Sequence, residues 1–281
     1  MKSFLFLSGR FLLFLYLGLA SISNASTTNY VQNTSDSGDG SLREAIEISS
    51  PGDTVAFAND FNNSRQTVLI TSGPLGIGRD LTIIGPTMGV TIDANDSSNI
   101  FNITGGNVVI SGVQMLNGFV RGVDGIGCGG GGGTVGGGGI ANAANLTLID
   151  CTITSCGAYG GAGGSCTAPN GFGSDGGSAY GGGIWNQIQG TLLMQNCTLF
   201  GNMAVGGAAG QGGNEPFPGS AAGGAICNQG TLTLQSCTIV GNVSQPLNQG
   251  YGDESCGGIY NQAATFTFGN CIIANNTGDV P

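Results

Sequence analysis

The sequence has no histidine and only six lysine and arginine residues among 281, against sixteen aspartates and glutamates. Without histidine the chain lacks the commonest metal ligand and the most frequent general base near neutral pH. The net charge of −10 argues against nucleic acid or an anionic membrane as a partner. Functions that depend on histidine chemistry or on a basic surface are therefore excluded.

Residues 1–25 have the pattern of a secretory signal peptide. Lys2 and Arg10 give a positive start, residues 11–20 form a short apolar core, and cleavage is predicted after Ala25. An uncleaved membrane anchor is the alternative, but the apolar run is shorter than the roughly 20 residues that a spanning helix needs. Cleavage would leave four arginines against sixteen carboxylates, a net charge of −12.

One pattern occurs four times in the second half of the chain. Each copy has a glycine-rich lead-in, an Ile-x-Asn triplet, an alternating apolar run, and a cysteine two positions before an apolar residue. The copies are Ile140–Asn142 with Asn145–Leu148 and Cys151–Ile153, Ile184–Asn186 with Thr191–Met194 and Cys197–Leu199, Ile226–Asn228 with Thr231–Leu234 and Cys237–Ile239, and Ile259–Asn261 with Thr265–Phe268 and Cys271–Ile273. Self-similarity of this kind predicts a solenoid.

Each copy supplies three short strands without an intervening helix. Parallel strands of this kind can pair only if the chain winds, so that each strand lies beside its counterpart one turn away, about 4.8 Å along the axis. Period-two alternation then directs Leu146, Leu148, Cys151 and Ile153 inward, leaves the threonines outside, and puts Ile149–Asp150 at a corner. The sequence thus predicts an all-β parallel β-helix.

The asparagine of the Ile-x-Asn triplet recurs at a position where one strand is expected to turn into the next. Asparagine tolerates left-handed backbone, and its amide can bond to copies above and below it. We therefore predict a left-handed corner and an internal amide ladder at these positions, which are Asn142, Asn186, Asn228 and Asn261.

Residues 26–53 are predicted to form an N-terminal cap with one short helix. Ser41 and Glu44 have capping-box spacing, and the helix is expected to stop by Pro51–Gly52. Such a helix would cover the open end of the strand stack. Short β-branched runs follow, and strands are predicted at 54–57, 67–70, 81–84, 90–93, 100–103, 108–110 and 113–116.

Nine cysteines are present, an odd number that cannot all pair internally. Four of them share one repeat position and are expected to stack as small buried side chains, with bridges within the column as the alternative. These four are Cys151, Cys197, Cys237 and Cys271. Better candidates for disulfides lie in or beside loops, with the pairing left open, and these are Cys128, Cys156, Cys166 and Cys256.

Glycine-rich segments connect the repeats at 118–138, 156–182, 203–224 and 243–257. Insertions on one side of a solenoid often form its binding face. The alternative is solvent-exposed padding, which long loops tolerate at small entropic cost.

No catalytic, cofactor-binding or metal-binding residue is predicted. The carboxylates of the repeat region neither recur at one repeat position nor cluster, apart from Asp253–Glu254, and Arg121 is the only cation after residue 79. Residues 170–176 resemble a single calcium-binding nonapeptide, a motif that binds by iteration. Polysaccharide lyases and hydrolases need converging carboxylates or a cationic base, which this pattern does not supply.

Two segments resemble a known group of proteins. The run Gly40–Ile46 followed by Pro51–Phe57 is similar to the N-terminal segment of bacterial exported right-handed parallel β-helix repeat proteins of the CSLREA type. The later Gly-Gly-x-Ile and Cys-Thr-Ile-x-Gly-Asn units resemble repeats of chlamydial polymorphic outer membrane proteins. The resemblance implies a right-handed β-helix, here of about six to seven turns, and a surface-exposed passenger that acts in many members as an adhesin.

Two departures from that group bear on how the protein is anchored. Members that are autotransported continue into a C-terminal membrane barrel, whereas this sequence stops at Pro281, and the Phe-x-x-Asn tetrapeptide is not regular. We therefore expect a secreted protein, a fragment, or an outer-membrane anchor supplied by a missing C-terminal region.

The domain organisation expected is a signal peptide at 1–25, a cap at 26–53 and a β-helix at 54–281. The expected function is non-catalytic, adhesin-like binding of a surface protein or glycan by an exported protein. A carbohydrate-active enzyme on a pectate-lyase-like β-helix is the alternative, and a purely structural spacer is the third class.

Overall fold

The computed structural model describes residues 25–168, 171–213, 215–246, 255–262 and 265–278. The predicted signal peptide, apart from its last residue, and most of the last glycine-rich segment lie outside these ranges. The described chain is nearly all β, with one α-helix, α1 (Leu42–Ile48), and one 3-10 turn at Asn59–Asn62.

The strands are numbered in chain order. They are β1 (Thr28–Val31), β2 (Asp53–Phe57), β3 (Gln66–Leu69), β4 (Leu75–Gly78), β5 (Leu81–Ile84), β6 (Val90–Asp93), β7 (Phe101–Gly105), β8 (Asn107–Ser111), β9 (Val113–Leu116), β10 (Phe119–Arg121), β11 (Val135–Gly136), β12 (Ile140–Asn142), β13 (Asn145–Ile149), β14 (Thr152–Thr154), β15 (Gly157–Tyr159), β16 (Ala179–Tyr180), β17 (Ile184–Asn186), β18 (Thr191–Gln195), β19 (Thr198–Phe200), β20 (Met203–Val205), β21 (Ala221–Ala222), β22 (Ile226–Asn228), β23 (Thr231–Gln235), β24 (Thr238–Val240), β25 (Val243–Gln245), β26 (Ile259–Asn261), β27 (Thr265–Gly269) and β28 (Ile272–Ala274).

Three long sheets form the body of the solenoid, and their strands run parallel. Sheet A has the order β1-β2-β5-β8-β13-β18-β23-β27, sheet B the order β3-β6-β9-β14-β19-β24-β28, and sheet C the order β4-β7-β12-β17-β22-β26. In the repeat region equivalent residues are in register, so that Leu146 pairs with Leu192 and Leu192 with Leu232. The parallel solenoid predicted from the repeats is confirmed.

The core consists of the side chains that the alternation directed inward. Leu146, Leu148, Cys151 and Ile153 are at most 1 % exposed, while the threonines beside them remain partly exposed. Equivalent residues of the next two turns join the same continuous cluster. Side-chain burial therefore holds the turns together, as hydrophobic stacking in a solenoid requires.

The predicted amide ladder is present, but the left-handed corner lies elsewhere. Asn142 donates to the Oδ1 atom of Asn186 at 2.8 Å, Asn186 to Asn228 at 2.7 Å, and Asn228 to Asn261 at 2.6 Å. These asparagines lie in strands of sheet C, where the backbone is extended. The prediction of left-handed backbone there was wrong, because the amide ladder itself stabilises a buried strand position.

The left-handed residue is the one before each cysteine, at the corner between sheets A and B. Its φ is 53° in three turns and 54° in the fourth. Aspartate, asparagine and serine tolerate this conformation better than β-branched residues, which explains the short polar side chain there. The four residues are Asp150, Asn196, Ser236 and Asn270.

A second amide ladder was not predicted. Asn202 donates to the Oδ1 atom of Asn242 at 2.9 Å, and Asn242 donates to Asn276 at 2.8 Å. Each Oδ1 atom also accepts the backbone N–H of the ladder residue in the preceding turn, or of Cys156 at the first step. Asn202 and Asn242 are fully buried, so hydrogen bonding within the ladder offsets the desolvation of their amides.

The N-terminal cap contains the predicted helix and an unpredicted strand. Ser41 accepts the backbone N–H of Glu44 at 3.1 Å, and the Glu44 carboxylate accepts the N–H of Gly40. Strand β1 pairs in parallel with β2 and extends sheet A beyond the predicted boundary at residue 54. Helix α1 packs its apolar side on the first turn, so helix and strand together cover this end.

Asp36 fastens the cap to the first turn. Its carboxylate accepts the hydroxyl of Ser72 at 2.6 Å, the backbone N–H of Thr71 at 3.0 Å, and the guanidinium of Arg43 at 2.9 Å. Burial opposes the charged form, but the bonds from Ser72, Arg43 and Thr71 outweigh it and hold the pKa of Asp36 well below its ordinary value.

The cysteine column is a column of thiols. Cys151, Cys197 and Cys237 are each 1 % exposed, whereas Cys271 is only partly buried, and all four carry free thiols. A hydrogen bond with Cys151, followed by burial, raises the pKa of Cys197 to about 12, and the same hydrogen bond lowers the pKa of Cys151. A protonated, buried thiol is a poor nucleophile, so this column is part of the core.

Candidate binding surfaces

The described residues of the glycine-rich segments form a second structure on one side of the solenoid, which we call the glycine layer (residues 119–138, 157–168, 171–182, 203–213 and 215–224). Within each segment the chain runs out from the body and back again. Two small parallel sheets mark the base of these legs, β10-β15-β20-β25 for the outgoing legs and β11-β16-β21 for the returning legs. Four alanines, Ala158, Ala179, Ala204 and Ala221, are buried together as a small core of the layer.

Beyond these short strands the legs are joined by backbone hydrogen bonds that recur every third residue. Gly122 and Gly125 donate to the next outgoing leg, at Tyr159 and Ala162. Gly161 and Gly164 donate instead to a returning leg, at Gly133 and Gly130. A period of three is that of the extended polyproline II-type helix. The spacing of these bonds is that of extended glycine helices bonded laterally to one another.

Close packing of these helices requires glycine. A Cβ atom added at Gly160 would lie 1.8 Å from the carbonyl oxygen of Gly177, and one added at Gly206 would lie 1.7 Å from that of Gly219. Neighbouring backbones could not approach this closely around any side chain. The layer is therefore an ordered part of the fold in the described residues, and whether it serves as a binding face or as padding stays a prediction.

A disulfide crosses the outer part of the layer. Cys128, in the first segment, is bonded to Cys166, in the second, at a sequence separation of 38. Both had been named as bridge candidates. The other two candidates, Cys156 and Cys256, carry free thiols.

The layer exposes several large apolar side chains. Val123 is 81 % exposed and Ile126 90 % exposed. Phe172 and Phe217, on returning legs, are also exposed. Because the backbone beneath them is fixed by hydrogen bonds, these side chains are presented to solvent with little freedom to collapse onto the body.

A groove of about 490 Å³ lies where the outgoing legs leave the body. Phe119, Tyr159 and Met203, which come from three successive segments, line it, together with Asp96 and Ser155. The rings of Phe119 and Tyr159 have centroids 5.0 Å apart and planes inclined at 51°. The Tyr159 hydroxyl donates to the sulfur of Met203 at 3.2 Å. The groove therefore combines an aromatic and thioether surface with a carboxylate.

Sequence reasoning did not find this groove. Its residues are far apart in the chain and share no motif. A usable signal is a second left-handed corner, which lies at Asn117, Ser155 and Gly201 in successive turns. Phe119, Tyr159 and Met203 each follow this corner within four residues. Aligning the turns on this corner brings two aromatic residues and a methionine to one side of the solenoid.

A smaller recess of about 130 Å³ is lined by an arginine, a carboxylate and Gln114, among other residues. These are Arg65 and Asp150, and Arg65 donates to Gln114 at 3.1 Å. The volume is below the roughly 300 Å³ at which ligand pockets usually begin. No group of three or more histidine, cysteine, aspartate or glutamate residues able to hold a metal ion occurs in the part of the chain that the structure describes.

The calcium-like segment at 170–176 falls partly outside the described residues. Within it, the carboxylate of Asp175 accepts the backbone N–H of Phe217 at 2.8 Å. This bond joins two returning legs, so Asp175 has a structural partner inside the glycine layer.

Comparison with known proteins adds no relative. No protein-family description and no curated protein matches this sequence. Among the helices of the described ranges, none has the length and apolar character that a membrane-spanning helix needs.

Proposed function

We propose that this is an exported, non-catalytic β-helix protein that binds a surface protein or glycan through its glycine layer. It is proposed to be right-handed, with about six to seven turns, and related to the CSLREA-type and chlamydial polymorphic proteins that its sequence resembles. The observation that carries the proposal is the hydrogen-bonded order of the layer. A rigid backbone that exposes apolar side chains suits binding, because little conformational entropy is lost in the complex.

The disulfide supports the exported location. Disulfides persist in oxidising compartments and are rare in the cytosol. Cys128–Cys166 joins two segments of the glycine layer, and the predicted signal peptide at 1–25 accounts for how the chain would reach such a compartment.

Adhesion of coated beads tests the proposal. Beads carrying the protein should adhere to cultured epithelial cells or to immobilised matrix proteins, and a variant with Val123→Ser, Ile126→Ser and Phe172→Ser should lose most of that adhesion. The matched control is Ile188→Ser, because Ile188 is 78 % exposed but lies outside the layer. Equal adhesion of the triple variant and the unchanged protein would contradict the proposal.

The alternative, a carbohydrate-active enzyme, would act at the recess of Arg65 and Asp150. Incubation with panels of neutral and acidic polysaccharides would then yield new reducing or unsaturated ends, and Arg65→Gln would abolish them. A spacer without any ligand predicts that neither adhesion nor product is seen.

A further inference from the structure

We propose that the groove of Asp96, Phe119, Tyr159 and Met203 binds an alkylammonium group, either a quaternary amine or the side chain of a lysine. This site is separate from the exposed apolar side chains of the glycine layer, so it does not depend on the proposed adhesive function.

The charge around the groove selects for a cation. Asp96 is exposed on the rim, and the described residues that line the groove include no lysine or arginine. No ion pair to Asp96 is found in the described ranges, where the pairs are Arg43–Asp36 and Arg121–Asp124. The net charge of −10 adds a long-range field of the same sign. An anionic ligand would be repelled from this site.

The local field also acts on a neighbouring thiol. Burial, with smaller contributions from the negative charges of Asp96 and Asp93, raises the pKa of Cys156 to about 12. Cys156 lines the same groove. The effect of the two carboxylates on its thiolate shows the sign of the potential there, which would stabilise a bound cation.

The side chains of the groove suit an organic cation rather than a hydrated metal ion. Phe119 and Tyr159 are inclined at 51° to each other, and two rings at such an angle can contact one rounded group. Ammonium groups interact favourably with aromatic faces, and methylated ammonium is bound by aromatic side chains in this way. The thioether of Met203 adds a polarisable surface next to Tyr159.

Choline and its uncharged carbon isostere, 3,3-dimethyl-1-butanol, test the role of charge. By calorimetry or ligand-observed NMR, choline should bind with a dissociation constant of about a millimolar, and the isostere about tenfold more weakly. Raising the salt concentration from about 20 mM to about 500 mM should weaken choline binding and leave the isostere unaffected. Equal affinities for the two probes would overturn the proposal.

Variants of the groove test separately the carboxylate of Asp96 and the aromatic ring of Tyr159. Asp96→Asn should weaken choline binding about fivefold, and Tyr159→Leu should weaken it by at least about as much. Tyr159→Phe should retain binding because the ring is kept, and circular dichroism of Tyr159→Leu checks that this variant is folded. Asp39→Asn is the matched control for net charge, since Asp39 is an exposed carboxylate in the cap. An unchanged affinity in Asp96→Asn would sink the idea.

Two further probes identify the source of the cation. Nα-acetyl-lysine methylamide should bind more tightly than choline if the natural ligand is a protein lysine, and less tightly if it is a free quaternary amine. The norleucine analogue is the uncharged control. Saturable binding of neutral oligosaccharides in place of both amines, or no binding of any amine up to about 50 mM, would refute the assignment.

Discussion

The body of the solenoid and the glycine layer stack the same chain turns by opposite means. In the body, buried side chains such as Leu192 and Met194 fill the interior, and the backbone pairs in ordinary parallel sheets. In the layer there is almost no side chain to bury, and backbone N–H and C=O groups of glycine provide the contacts. The body depends on the volume of its buried apolar side chains, whereas the layer depends on the absence of side chains.

The glycine layer depends on the body of the solenoid for its stability. Glycine loses more conformational entropy on folding than any other residue, and a glycine helix by itself has no apolar surface to offset that loss. Each glycine-rich segment begins and ends next to a strand of the body, so its ends are already fixed. The repeated turns therefore supply the register that the layer uses, and substitutions in the two regions should differ in kind.

The largest effect is expected from a cavity in the body. Leu192→Ala should lower the free energy of unfolding by about 2–5 kcal/mol, because Leu192 is fully buried and its neighbours in adjacent turns cannot close the space. Leu193→Ala is the control, since this neighbour points outward and is only partly buried. Urea unfolding followed by circular dichroism measures both, and equal losses would show that the inward and outward assignment is wrong.

A smaller loss is expected when the amide ladder is cut. Asn186→Leu removes the acceptor of Asn142 and the donor to Asn228 within a dry interior, so unfolding should become easier by about 1–3 kcal/mol. Asn145→Ala removes the bond of an exposed asparagine to Asn107 and should change stability by less than about 0.5 kcal/mol. If Asn186→Leu were as stable as the unchanged protein, the ladder would contribute nothing beyond burial.

The glycine layer should be destabilised by added side-chain atoms, whereas the body is destabilised by removed ones. Gly219→Ala would place a Cβ atom 1.8 Å from the carbonyl oxygen of Gly177, so the legs must separate, at a cost of about 1–3 kcal/mol. Gly131→Ala is the matched control, because it lies in the same layer with open space around its Cα atom. Hydrogen exchange should accelerate in 203–224 for Gly219→Ala, while the amides of sheet A stay protected. Equal exchange in both variants would contradict the close-packed lattice.

The contrast between body and glycine layer also determines which features of the fold could be predicted from the sequence. Inward residues of the body, such as Leu146 and Cys151, follow from alternation and repetition alone, since a side chain marks each position. The left-handed corner was placed on Asn142 instead of Asp150 because several residue types tolerate that conformation, and only the buried ladder distinguishes them.

The glycine layer and the groove could not be predicted for a different physical reason. Backbone hydrogen bonding of period three leaves no pattern of apolar and polar residues in a run such as 129–133. The groove joins Asp96, Phe119, Tyr159 and Met203 from separate turns, and only the register of the turns brings them together. Features made by backbone geometry or by register are therefore seen in the structure first.

The smallest expected effect concerns the cap. There, charge-assisted hydrogen bonds take the place of the apolar packing of the body and of the backbone contacts of the glycine layer. The folded-state pKa of Asp36 is lowered, so its contribution to stability is fully present above the ordinary aspartate pKa of about 3.9 and is lost progressively as the pH falls from there through the folded-state pKa. Between pH 6 and pH 2 the exchange of amides in β1 and α1 should therefore accelerate relative to their intrinsic rates, and those in β18 should not. Asp36→Asn should show the faster exchange already at pH 6 and little further change on acidification. A cap that stays equally protected at pH 2 in the unchanged protein would mean that apolar packing of α1, as in the body, is enough to hold it.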